Sequence, residues 1–315
     1  MLLDQFPFED VASWLTEGQV IPFLGAGASR AGVSSPNMLP DGLGLATELI
    51  NRMPGYPGQP AEGLARAAEY FELTTFDRPA LFEYMHRRFY QQQLNAPLTR
   101  VAQLLATIPN PDNTSRFIVT TNYDNFIERA FHEAGHPLCV ITQDVKNPEH
   151  GASQLSLRRP DGLFEQVDAR DFVLTPDSGF PPRTTYLFKM HGSADRRSSE
   201  GDGLIITESD YVEFLVNSGG PLSFPPPSLL AIFSKRRFLF LGYSLADWNF
   251  RVFFRLLAIR NAISKSDLRR HWAIQLNPNP LDEKLWYKRN VNVYDGDLLE
   301  FCERLQTAWT SGDKP

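Results

Sequence analysis

Short apolar runs that close on small or polar residues recur along the chain and alternate with stretches of helical spacing. Val20 to Leu24, Phe117 to Thr120, Leu138 to Thr142, Thr184 to Met190 and Arg237 to Leu241 read as strands buried on both faces, because they show no polar alternation. Leu204 to Ile206, His271 to Leu276 and Val291 to Tyr294 read as further strands. Pro22 cannot donate a ladder hydrogen bond, which places the first run at a sheet edge or a strand start. Phe8 to Glu17, Gly44 to Arg52, Ala61 to Leu73, Pro79 to Leu94, Pro97 to Ile108, Phe126 to Ala134, Glu208 to Val216, Leu229 to Ser234, Phe250 to Ala262 and Asp297 to Trp309 have helical periodicity. Gly135 supplies a stop for the Phe126 helix.

This alternation predicts an α/β fold, a doubly wound and mostly parallel sheet within one domain spanning residues 1–315. The helices of about 61–108 exceed what the sheet needs and read as a helical insertion. Residues of about 143–183 are polar, rich in Pro, Gly and Asp, and read as a loop insertion folded over the site or against a partner. Both are expected interfaces.

Composition narrows the class. Hydrophobic residues make up 42% of the 315 and charged residues 22%, enough for a sizeable core. A formal net charge of −6 argues against direct nucleic-acid binding, which favours a basic surface. Lys235-Arg236-Arg237 is one candidate for a local basic patch, but its place between a helical pattern and an apolar strand favours a solvated turn. Cys139 and Cys302 make no disulfide framework, so a reducing cytoplasm is the simplest compartment. No run approaches the ~20 apolar residues of a membrane span, and the first residues do not form a signal peptide.

Four strand runs end in polar motifs: Gly25-Ala26-Gly27-Ala28-Ser29, Thr121-Asn122-Tyr123-Asp124, His191-Gly192 and Gly242-Tyr243-Ser244. Ligands of open α/β sheets bind outside the carboxyl ends of the strands, so these motifs point to one site. Gly25 and Gly27 would let the backbone approach a pyrophosphate, with the turn amides facing the anion. A tight strand-to-loop turn would use the same glycines. Arg30 stands where the third glycine of Gly-x-Gly-x-x-Gly would be, as a phosphate contact or a surface charge. No acidic residue closes the second strand to bind an adenosine ribose, which counts against an ordinary dehydrogenase. Asn122 or Asp124 either caps the helix near Phe126 or faces a ligand. His191, at a cleft mouth, has an unperturbed pKa of about 6.5 and suits a general base. Ser244 and Asp247 offer contacts to phosphate or ribose, or cap the next helix.

The four motifs resemble those of the sirtuin family, and more closely its divergent bacterial, NAD-consuming branch than its protein deacylases. Asn122 and Asp124 match the asparagine and aspartate of Thr-Gln-Asn-Ile-Asp, and His191 matches the catalytic histidine. Gly242-Tyr243-Ser244 with Asp247 resembles the form that the last motif takes in the divergent branch. The resemblance runs from Val20 to about Gln306. It implies a Rossmann-type sheet with NAD as substrate, and a catalytic set of Asn122, His191 and Asp124. It also implies an NAD-binding set of Gly25, Ala26, Gly27, Ser29, Arg30, Thr121, Gly242, Tyr243, Ser244 and Asp247.

Deacylating sirtuins carry a four-cysteine zinc module, which Cys139 and Cys302 cannot supply, so no metal is expected and a peptide cleft is in doubt. Water is then the simplest acceptor, giving nicotinamide and ADP-ribose. Domains of this kind deplete NAD in bacterial antiphage defence, which implies an enzyme held inactive until triggered. The implied gate is a homo-oligomer or a separately encoded partner, such as a DNA-translocase-type ATPase or an Argonaute-like protein. Two alternatives stay open: a zinc-free deacylase or ADP-ribosyltransferase, and a regulatory subunit that senses NAD or ADP-ribose.

Overall fold

The apolar runs assemble into one sheet. The computed structural model describes residues 1–34, 38–75, 77–108, 115–144, 154–169, 171–172, 179–195, 203–217, 225–243 and 270–312. Its strands are β1 (Val20–Leu24), β2 (Arg116–Thr120), β3 (Leu138–Asp144), β4 (Gln154–Arg158), β5 (Phe164–Asp168), β6 (Thr185–Lys189), β7 (Arg237–Leu241), β8 (His271–Gln275) and β9 (Val291–Asp295). They lie in the order β5-β4-β3-β6-β2-β1-β7-β8-β9. Every pairing from β3 to β9 is parallel, and β4 and β5 extend the β3 edge as an antiparallel hairpin.

Successive residues of a strand point to opposite faces, and here both faces are covered. Leu24, Ile118, Leu187, Leu239 and Leu241 enter one core, together with side chains from α1 (Phe8–Thr16), α2 (Gly42–Ile50), α4 (Arg78–Phe89), α5 (Arg100–Thr107), α6 (Phe126–Glu133) and α10 (Leu298–Gly312). Phe23, Phe117, Val119, Phe188, Phe238 and Phe240 enter the other, with α7 (Glu208–Asn217), α8 (Pro227–Phe233) and α9 (Pro280–Tyr287). α3 (Leu64–Thr75) packs against α2 and α4 on the first side. Cys139 and Cys302 are free thiols buried in opposite cores, and burial pushes each up to about 12.

Several expectations are corrected. β1 is a central strand, not an edge. The oxygen of Gln19 accepts from Arg237 on the β7 side and that of Leu24 from Thr121 on the β2 side. By alternation the nitrogen of Pro22 faces β2, where pairing begins only at Phe23. The missing donor therefore falls where no ladder bond is required. Residues 154–168 hold the β4–β5 hairpin where the sequence reads as a loop: Leu155 and Leu157 are buried, but Phe164, Glu165 and Gln166 are exposed and give β5 no alternation.

Leu204 to Ile206 is fully buried yet not a strand, because side chains satisfy most of its backbone. Arg78 donates to the oxygen of Leu204, the Tyr123 hydroxyl to that of Ile205 at 2.7 Å, and Ile206 N–H to the Asp210 carboxylate at 2.8 Å. Arg236 is not a solvated turn residue. Its guanidinium donates to the Ser115 carbonyl at 2.7 Å, lies over the Phe117 ring, and is lowered to about 10 by burial. α9 has no counterpart in the hydrophobic pattern; it starts on the Asn279 cap with Pro280 in its first turn. The expected helix of residues 250–262 lies outside the described residues.

Candidate active site

β6, β2, β1 and β7 are neighbours and run parallel, so the four motifs that follow them emerge side by side at one edge of the sheet. The chain leaves β1 toward β2 on one side and returns at β7 on the other, which makes this edge a topological switch point.

The turns after β1 and β7 touch. Gly27 N–H donates to the Gly242 oxygen at 2.9 Å, and Gly25 N–H to the Leu241 oxygen at 3.0 Å. Gly242 has φ +64, and a Cβ there would lie 2.1 Å from the Ala28 nitrogen. A Cβ on Gly25 would lie 2.5 Å from the Tyr243 ring. These glycines are required by contact between the two turns. The amides of Ala28 and Arg30 close the turn onto the oxygens of Gly25 and Gly27. The amides of 25, 27, 28 and 30 are thereby engaged within the protein, while Ala26 lies on the cavity wall.

Asn122 links the first two motifs. Its Nδ2 donates to the Gly25 oxygen at 2.9 Å and to the Ser29 hydroxyl at 2.7 Å. Both amide hydrogens are engaged, so what Asn122 can offer a further partner is its acceptor oxygen Oδ1. Ser29 in turn donates to Asp124 Oδ2 at 2.5 Å, and Asp124 Oδ1 accepts from Phe126 N–H at 3.0 Å. Asp124 thus holds the first amide of α6, whose cap position is Asn125, and through Ser29 it fixes Asn122. The N–H of Asn122 itself rests on the Thr120 hydroxyl at 3.0 Å.

Burial raises the Asp124 carboxyl above its ordinary 3.8, against the opposing pull of Lys189, the Ser29 hydroxyl and Phe126 N–H. An acid raised in the folded state keeps a proton that the unfolded chain has released, so this group makes stability fall as pH rises through that window. Asp124→Asn removes the titration. Its stability relative to wild type is expected to rise as pH increases from about 4, read by urea unfolding over a pH series. A pH-independent difference would contradict this account of the carboxyl.

His191 follows β6, and its buried ring lies between two tyrosines, with Tyr211 at 5.5 Å edge-on and Tyr123 at 6.3 Å between centroids. Its backbone oxygen accepts from Ile205 N–H at 3.1 Å, so the 204–206 segment supports it. Gly192 has φ +73, and a Cβ there would collide with the Gly203 oxygen at 1.9 Å.

One cavity of about 560 Å³ joins these groups and lies in the size range of small-molecule sites. Ala26, Gly27, Ser29, Arg30, Thr121, Asn122, Asp124, His191, Gly242 and Tyr243 line it. Gly25 does not face it but holds Asn122 through its carbonyl. Ser244 and Asp247 lie outside the described residues. No described residue of 143–183 lines the cavity.

The sequence reading misses part of the wall. Asp41 caps α2 by accepting from Gly44 N–H at 2.9 Å and pairs with Arg30. The Gly44 bond, with Arg30 beyond it, holds this carboxyl below its ordinary value. Asp41, Gly42 and Leu43 bring the first turn of α2 to the cavity, and Leu45, Leu64 and Phe89 close it with apolar surface. The Asp41-to-Gly44 cap spacing was the available signal for this wall. Lys189, fully buried beneath the site, was signalled only as an ionisable residue inside an apolar strand.

Among the described residues no cluster of His, Cys, Asp and Glu suits a metal ion, and no helix is long and apolar enough to cross a membrane. A mostly parallel α/β sheet with polar strand ends converging at its switch point defines a Rossmann-type protein with a small-molecule site. A profile of the SIR2-like domain matches residues 116–294, more than half of the 315, and the chain belongs to that family. It is also 25% identical over 288 residues to the NAD(+) hydrolase ThsA of Enterococcus faecium, covering 89% of this chain and 48% of that protein. Over 198 residues it is 25% identical to the Defense-associated sirtuin 2 of Bacillus subtilis, covering 59% of this chain and 16% of that protein. The chain therefore spans half or less of the length of these relatives.

Proposed function

We propose that this chain cleaves NAD to nicotinamide and ADP-ribose and serves as an effector of bacterial antiphage defence by depleting NAD. The observation that carries this reading is the bonded series Asn122–Ser29–Asp124 set in one cavity with His191. The relatedness to an NAD(+) hydrolase and to a defence-associated sirtuin supports it.

The nicotinamide ribose lies against Asn122 Oδ1, and the pyrophosphate against Arg30 and the first turn of α2, whose dipole favours an anion. The bond between ribose C1 and the nicotinamide nitrogen breaks with its electron pair leaving on nicotinamide, which becomes neutral. Water adds to the oxocarbenium-like carbon, and its proton passes to His191 and then to solvent. The cavity's main contribution is to hold the dinucleotide and the water in place. Activity is gated by self-association or by a separately encoded partner, and the helices of about 61–108 and the segment of about 143–183 supply the interfaces.

The test is to incubate purified protein with NAD, alone and with the products of neighbouring genes. Nicotinamide and ADP-ribose are expected in equal amounts in at least one condition. NAD bound but uncut throughout would favour a sensing subunit. Cleavage that requires an acyl-lysine peptide and removes its acyl group would favour a deacylase.

A further inference from the structure

Lys189 ends β6 beside the last residue of β2, with Thr120 as its register partner, and its side chain is fully buried. Burying an ammonium costs several kcal/mol unless its partners are well placed. Here the partners come from separate segments. Nζ donates to the backbone oxygen of Asp124 at 2.5 Å, to Glu128 Oε1 on α6 at 2.9 Å, and to the Tyr90 hydroxyl after α4 at 3.4 Å. Burial alone would lower the ammonium, but Glu128, Tyr90 and Asp124 more than offset it and hold it charged.

The network extends to the His191 loop. Arg158 bridges Glu128 at 3.4 Å and Asp195 at 3.1 Å, and the Tyr90 hydroxyl bonds Ser193 at 2.6 Å. Replacing a whole buried ion pair by apolar groups is often neutral for stability, but an apolar side chain at 189 alone leaves Glu128 and the Asp124 carbonyl without this buried donor. What an apolar side chain lacks is a directional donor to the Asp124 carbonyl.

We infer that Lys189 is a positioning residue that holds the 121–125 loop from below, so that Asp124, Ser29 and Asn122 present Oδ1 to the nicotinamide ribose. This rests on the NAD reading above. Glu128 keeps Lys189 aimed at the loop, and the loop is thereby fixed at its main chain by Lys189 and at its side chains by Ser29.

The experiment compares wild type, Lys189→Met and Glu128→Gln by amide hydrogen exchange over residues 121–126 and by the kinetics of NAD cleavage. Exchange there is expected to rise about tenfold or more in Lys189→Met, with β7 to β9 unchanged. The kcat is expected to fall about 10- to 100-fold with a smaller change in KM, because misplacement acts on the reacting geometry. Glu128→Gln keeps an acceptor and is expected to show both effects more weakly; it carries the test if Lys189→Met does not fold. Unchanged exchange, or faster exchange with unchanged kcat, would overturn the positioning role. A wild type that never cleaves NAD would sink the NAD reading instead, while the exchange data would still report whether Lys189 holds the loop.

Discussion

Asn122→Ala and His191→Ala are each expected to lower kcat/KM for NAD cleavage by about 10²- to 10⁴-fold, the range for losing a positioned polar or acid–base group. The two losses arise differently. His191→Ala removes an imidazole held between Tyr123 and Tyr211, and its effect is expected chiefly on activity. Asn122→Ala removes the acceptor proposed for the ribose and also the donors to Gly25 and Ser29. It should therefore cost about 1–3 kcal/mol of stability as well, from two lost hydrogen bonds, although the Gly25 oxygen keeps Ala28 N–H. Asn122→Asp sharpens the test: a carboxylate cannot donate to the Gly25 oxygen and would face Asp124 across Ser29. Steady-state kinetics beside urea unfolding separates the effects. Either alanine variant retaining activity within about threefold of wild type would remove that residue from the chemistry.

A large loss of stability is expected at Gly242. Gly242→Ala combines a left-handed φ of +64 with a Cβ placed 2.1 Å from the Ala28 nitrogen, and both neighbours are backbone of the cavity's own turns. Gly135 has a similar φ, +69, with nothing within 4 Å of its Cβ position, and so isolates the conformational part. Gly135→Ala is expected to cost about 1–2 kcal/mol. Gly242→Ala is expected to exceed it by about 2 kcal/mol or more, since the β1 and β7 turns must separate. Equal losses in urea unfolding would mean that the two turns do not depend on this contact.

The legible parts of this fold are those where one physical signal dominates. Residues of β1, β2, β6 and β7 are buried on both faces, so their apolar runs stand out, and the polar residues after them mark the site. What escaped had its signal cancelled or displaced. β5 is an outer strand with exposed Phe164, Glu165 and Gln166, and carries no alternation. The 204–206 run is as apolar as a strand, but its backbone is satisfied by Arg78, Tyr123 and Asp210, which are distant in sequence except for the last. Arg30 was legible as a candidate, whereas its pairing with Asp41 depends on where α2 lands. Gly25, Gly27 and Gly242 mark a place of close backbone approach, and the contact between the two turns accounts for them.

The most direct measurement is a crystal structure of His191→Ala, in which cleavage is expected to be slowed, with NAD. The account predicts NAD in the cavity with its nicotinamide ribose within hydrogen-bond distance of Asn122 and its pyrophosphate beside Arg30 and the first turn of α2. NAD bound elsewhere, or bound here with the nicotinamide ribose remote from Asn122, would contradict it.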